Sequence, residues 1–178
     1  MNFSVALLRW YKVHKRDLPW RKTRDPYVIW LSEIILQQTR VSQGLPYFLK
    51  FVKKYPDVSK LAKSKLHDVL KLWQGLGYYS RARNMHHTAK NILMNYEGKF
   101  PSEYDELIKL KGVGEYTAAA IASISFGKPH PVVDGNVVRV LSRYFGVKKN
   151  FASALSKKYI ISTAKMLMAK HKIGRAHV

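Results

Sequence analysis

Two carboxylates in this chain stand in surroundings that favour chemistry. Glu33 lies inside the apolar run WLSEIIL, among Trp30, Ile34, Leu36 and Gln37. A carboxyl among apolar side chains has its pKa raised by desolvation, which suits a general acid near neutral pH. The bland alternative is a Glu on the polar edge of a helix, paired with Arg40 or another base. Asp134 follows Pro131-Val132-Val133 and precedes Gly135-Asn136-Val137, so it is expected at a helix N-terminus, where an aspartate stays ionised. The same pattern describes a plain N-cap.

Two further stretches carry groups suited to a polyanion. In 107–139 a short helical pattern ends at Leu110, Gly112-Val113-Gly114 makes a tight turn, and an Ala-rich helix follows from Thr117 to 126. This is a helix-hairpin-helix. Its glycines let backbone amides approach a phosphate, and the second helix points its positive end at the turn. Such a turn grips a nucleic-acid backbone without reading bases, so Gly112, Val113, Gly114 and Thr117 are expected DNA contacts. In 72–84 Gly75 and Gly77 bracket Leu76, Tyr78 and Tyr79 follow, and Arg81 and Arg83 sit close behind. Glycine permits close approach, an aromatic can wedge between bases, and arginine neutralises phosphate. A helix–helix turn with core tyrosines is the alternative. Gln37, Gln38 and Thr39 are neutral hydrogen-bonders able to touch bases or sugars, though alone they are merely helix surface.

Composition narrows the partner. Lys+Arg number 32 against 11 Asp+Glu in 178 residues, a net charge of +21, which fits a polyanion such as nucleic acid, with an anionic membrane surface as the rival. No apolar run reaches the ~18 residues of a membrane span. The N-terminal stretch is too short in apolar residues for a secretory signal and reads as an amphipathic helix. With no cysteine, disulfides and thiolate-held metals are excluded, and the histidines lack metal spacing, so no metal site is expected.

The elements that must position these groups are helices. Apolar spacing is heptad-like with short loops, and no segment alternates with period 2, so the fold is expected to be all-α. Helices are predicted over 2–14, 27–43, 46–55, two pieces within 58–72, one helix running to 96, the hairpin at about 107–126, 137–145 and 152–170. Pro19 stops the first, and Asp25-Pro26 starts the second as cap and first helical residue.

The motifs LPWR at 18–21, DPYVIWLSEIILQQTRV at 25–41, WQGLGYYSRARN at 73–84, GVGEYTAAAIASI at 112–124 and VVDGNVVRVLSR at 132–143 occur in one order. Together they resemble the adenine DNA glycosylases of the helix-hairpin-helix glycosylase superfamily, over residues 5–145 or so. The resemblance implies removal of adenine mispaired with 8-oxoguanine or guanine in double-stranded DNA. It implies two helical lobes with a cleft between them: 1–24 with 134–178, and 25–133 carrying the hairpin. Glu33 resembles the general acid and Asp134 the aspartate that stabilises the sugar cation. Tyr116 would support the same transition state, Asn136 would orient Asp134, and Gln38 and Tyr78 would enter the duplex. Breaking an N-glycosidic bond builds positive charge on the sugar and negative charge on the base, so a proton donor and a fixed carboxylate are the minimum equipment. The adenine must leave the stack to reach them.

The resemblance also implies a four-cysteine 4Fe–4S cluster beyond 145 and then a C-terminal domain that recognises 8-oxoguanine. Neither is in this chain, so a truncated or frame-shifted reading frame is expected, with Leu155, Ile160 and Leu167 left exposed. A monomer in the cytoplasm, associated with the nucleoid, is expected. Two rival readings follow from the same residues. One is a pyrimidine-damage glycosylase with lyase activity, resembling endonuclease III; those enzymes carry a lysine where this chain has Tyr116, because a Schiff base needs an amine. The other is a non-catalytic DNA-binding remnant.

Overall fold

The computed structural model describes residues 3–147 and 154–169, which form ten α-helices and one 3-10 turn with no strand. The helices are α1 (Phe3–His14), α2 (Pro26–Leu36), α3 (Val41–Lys54), α4 (Val58–Ala62), α5 (Leu66–Trp73), α6 (Ser80–Asn95), α7 (Tyr104–Leu107), α8 (Glu115–Phe126), α9 (Gly135–Tyr144) and α10 (Ala154–Ala169). The all-α reading holds. The tail after 169 and the side chain of Leu155 lie outside the described residues.

Helices α2 and α8 pack on each other at the centre. Their composition explains this. Thr117 to Ser123 of α8 are all buried, and α2 buries Ile29, Trp30, Leu31, Ile34 and Ile35. Helices with small or apolar residues around most of their circumference find no stable place at a surface. Around them, α3 to α7 supply Phe48, Phe51, Leu61, Trp73, Met85, Ile92 and Leu107 to one large core. Leu18 and Trp20 join that core, with Trp20 edge-on to Phe48 at 4.9 Å. A separate, small cluster of Leu141, Ile160 and Ala164 ties α9 to α10, with Phe3 of α1 packed against it.

Two expectations need correction. The helix predicted over 27–43 breaks after Leu36, because Gln37 turns to extended ψ and Gln38 takes φ 54, and α3 restarts at Val41. The apolar spacing continues across this break, so periodicity does not reveal it. Ile160 is 1% exposed rather than bare, since Leu141 of α9 covers it; Leu167 is half-buried.

Candidate active site

Each carboxylate is delivered by a local device. Asp25 caps α2 by accepting from the Tyr27 amide at 2.8 Å, with Pro26 at the first helical position. That start puts Glu33 about two turns along α2, on the wall of a cavity of about 470 Å³. Asp134 caps α9. Its Oδ1 accepts from the amides of Asn136 and Val137 at 2.9 and 2.8 Å, and its Oδ2 accepts from the Asn136 side-chain amide at 3.1 Å. One carboxylate thus receives three N–H donors, which hold its orientation.

Glu33, Asp134 and Tyr116 line the same cavity. Burial raises the Glu33 carboxyl from 4.5 to about 7, and the negative charge of Asp134 adds to the effect. Glu33 is only half-buried by surface, because the cavity itself reaches it, yet the surrounding side chains leave little water to solvate a charge. Among the described residues no cation pairs with it, so the Arg40 alternative is not realised. The Tyr116 phenol is raised above its ordinary value by burial first and by Glu33 and Asp134 after that. It therefore stays a neutral donor. The arrangement offers a carboxylic acid charged or neutral near pH 7, a fixed carboxylate and a neutral hydroxyl around one volume.

Gln37, Gln38 and Thr39 line the cavity at its rim. Gln38 is exposed in the left-handed region at φ 54, and Tyr78 is 67% exposed at φ 45. Both are non-glycine residues held in sparsely populated backbone conformations, which cost of order 1–3 kcal/mol each and cluster at working sites. Gly75 and Gly77 are exposed in the same loop and Arg83 is exposed on the first turn of α6, whereas Leu76 is buried and anchors the loop. In the hairpin, Gly112 and Gly114 are exposed and Val113 is buried. Gly112 has φ +80, and a Cβ there would stand 2.8 Å from Asn84 Cβ, so glycine is required on two counts.

Four of the expected DNA contacts turn inward: Leu76 and Val113 into the core, and Thr117 and Arg81 onto protein partners. Thr117 is 2% exposed, and its hydroxyl accepts from Gln37 Nε2 at 3.5 Å, so it braces the Gln37 turn from inside. Arg81 is folded inward onto backbone carbonyls instead of standing out as a phosphate ligand. Arginine in a basic chain reads by default as surface charge, and sequence alone does not reveal which one turns inward. Sequence reasoning also missed Tyr11, Arg16, Leu18, Trp20 and Arg21 as part of the cavity wall. The LPWR motif was the available signal, and it suggested only a helix stop and a buried Trp.

A model of the HhH-GPD superfamily, described as base excision DNA repair proteins, matches residues 31–159. The chain belongs to that superfamily. It is 47% identical over 146 residues to the adenine DNA glycosylase of Buchnera aphidicola subsp. Acyrthosiphon pisum, covering 82% of this chain and 42% of that protein. The chain therefore spans less than half the length of that relative. A thermostable thymine-DNA glycosylase superposes with TM-score 0.83 and 33% identity, over 93% of this chain and 76% of the other. Endonuclease III in a trapped covalent intermediate with DNA shares the fold at TM-score 0.71 and 21% identity, over 93% and 81% of the two chains. The thiolate-held iron–sulfur cluster that the resemblance implies does not fit the residues present. There is no cysteine, and among the described residues no group of three or more His, Cys, Asp or Glu could hold a metal ion.

Proposed function

We propose that this chain excises adenine mispaired with 8-oxoguanine or guanine by hydrolysing its N-glycosidic bond. One observation carries the reading: a carboxyl poised to hold its proton near pH 7 shares a cavity with a fixed carboxylate and a neutral phenol. Glu33 donates its proton to the flipped base, so the base leaves neutral. The C1′–N bond breaks as positive charge grows on the sugar, and Asp134, kept in place by Asn136 and two backbone amides, faces that charge. Glu33, now ionised, takes a proton from the water that attacks C1′. Tyr116 hydrogen-bonds near the same centre. The division into two lobes, 1–24 with 134–178 and 25–133, belongs to the same reading. The separate clusters around Trp30 and Leu141 support it, although Leu18 and Trp20 pack with the larger.

The DNA partner rests on the net charge of +21, the exposed Gly112 and Gly114 of the hairpin, and the exposed Gln38 and Tyr78 beside the cavity. Lyase chemistry of the endonuclease III kind needs an amine, and no lysine lines this cavity among the described residues. A second reading, thymine excision, draws on the likeness to the thermostable thymine-DNA glycosylase. A single-turnover assay on duplexes with A opposite 8-oxoguanine, A opposite G, T opposite G, and thymine glycol separates them. Adenine release from the first two, with no borohydride-trapped adduct, is expected. Release of thymine alone, or a trapped adduct, would overturn the adenine reading.

A further inference from the structure

Arg81 stands on the first turn of α6 between two loops that are distant in sequence. Its Nη1 donates to the carbonyls of Ile34, Ile35 and Gln37 at 3.1, 3.1 and 2.6 Å. Its Nη2 donates to those of Leu76 and Gly77 at 3.2 and 3.5 Å. The guanidinium lies over the Trp73 ring at 5.0 Å and the Tyr78 ring at 5.8 Å, and both Nη atoms reach Thr39 Oγ1. One cation thus collects the carbonyls at the open end of α2 and those of the Gly75–Gly77 bend. These flank the two left-handed residues Gln38 and Tyr78. A fork of five donors can join two such carbonyl sets, and a lysine ammonium cannot span them. The same helix face also reaches the hairpin. Asn84 abuts Gly112, and Thr88 Oγ1 donates to Lys111 O at 2.7 Å.

We propose that Arg81 is a positioning residue that locks the Gln38 turn and the Tyr78 loop together, so that the two side chains enter a duplex as one preset unit. This rests on the glycosylase reading for its use, while the coupling itself is a property of the free protein. Hydrogen exchange on the free full chain reads the coupling without DNA. In Arg81→Met, amides in 37–40 and in 75–79 are expected to exchange about tenfold faster or more, together, with α8 unchanged. Faster exchange in only one segment, or in neither, overturns the coupling.

Single-turnover excision of adenine opposite 8-oxoguanine should fall about 100-fold, as expected for misplaced groups. Duplex affinity, read in the Glu33→Gln background so that substrate persists, should stay within about threefold. Affinity that instead weakens with a salt slope reduced by about 1 would make Arg81 a phosphate ligand and overturn the proposal. Should Arg81→Met fail to fold, Arg81→Lys keeps the charge but loses the fork. It must show the same paired exchange, and wild-type exchange in that variant overturns the proposal. If the unaltered chain excises no base, the glycosylase reading fails while the exchange result still decides the coupling.

Discussion

Helices α2 and α9 bring their carboxylates to one cavity from very different ground. Around α2, Trp30, Leu31 and Ile35 are fully enclosed, α8 packs along its length, and the core extends through α3 to α7. Around α9 the cluster is small. Val140, Tyr144 and Phe145 are exposed, and an apolar cavity of about 260 Å³ lies between α1, α9 and α10, with Asp134 and Tyr116 on its wall. The contrast matches the role proposed for each group. The raised pKa of Glu33 comes first from dense surroundings, which remove the water that would solvate the charge. An ionised carboxylate needs donors and access to solvent instead, and Asp134 obtains its donors from its own next three residues.

Removing the acid tests the dense side most sharply. Glu33→Gln is expected to lower excision by about 1,000-fold or more, within the range for general acid catalysis, with duplex binding largely intact. Near-wild-type excision in a single-turnover assay would remove Glu33 from the mechanism. The same change should raise stability at alkaline pH. The folded chain holds this proton more tightly than the unfolded chain, so stability declines as pH rises from about 4.5 to about 7. Above that the ionised carboxylate costs at most roughly 3 kcal/mol. A higher Tm for Glu33→Gln at pH 8, with little difference at pH 4, is the expected calorimetric result.

On the sparse side, Asp134→Asn keeps an oxygen that can accept from the Asn136 and Val137 amides but loses the charge. Excision should fall about 100-fold, the scale of one electrostatic contact to the transition state, with a stability change under about 1 kcal/mol. A variant that melts earlier yet excises normally would make Asp134 a helix cap and nothing more.

Packing itself should differ between the two regions. Ile121→Ala, in the fully enclosed α8, is expected to cost about 4 kcal/mol, whereas Leu141→Ala, beside the apolar cavity, should cost about 2 kcal/mol. Equal losses in denaturant titrations would mean that the α9 side is as tightly built as the centre. The smallest effect is the pH profile. The excision rate should fall tenfold per pH unit above about 7 as Glu33 ionises. A flat profile to pH 9 would show that burial does not hold this proton.

Much of this was legible in the amino-acid order because it is local. Helical periodicity, the Asp25-Pro26 start, the Gly112-Val113-Gly114 turn and the Asp134 cap each depend on residues within a turn of one another, and the structure realises them. That Glu33 sat in an apolar run was visible. That its carboxyl reaches a cavity shared with Asp134 and Tyr116 depends on how α2, α8 and α9 pack, which no single stretch encodes. The break at Gln37 and Gln38 is likewise tertiary. Spacing there favours a continuous helix, and the Arg81 guanidinium stabilises its interruption by collecting the freed carbonyls from a different helix. Sequence determines which groups are available and how each is capped. Tertiary structure decides which lose their water, which arginine turns inward and which residues share a volume, because desolvation and multi-carbonyl contacts arise only when distant segments close around the same atoms.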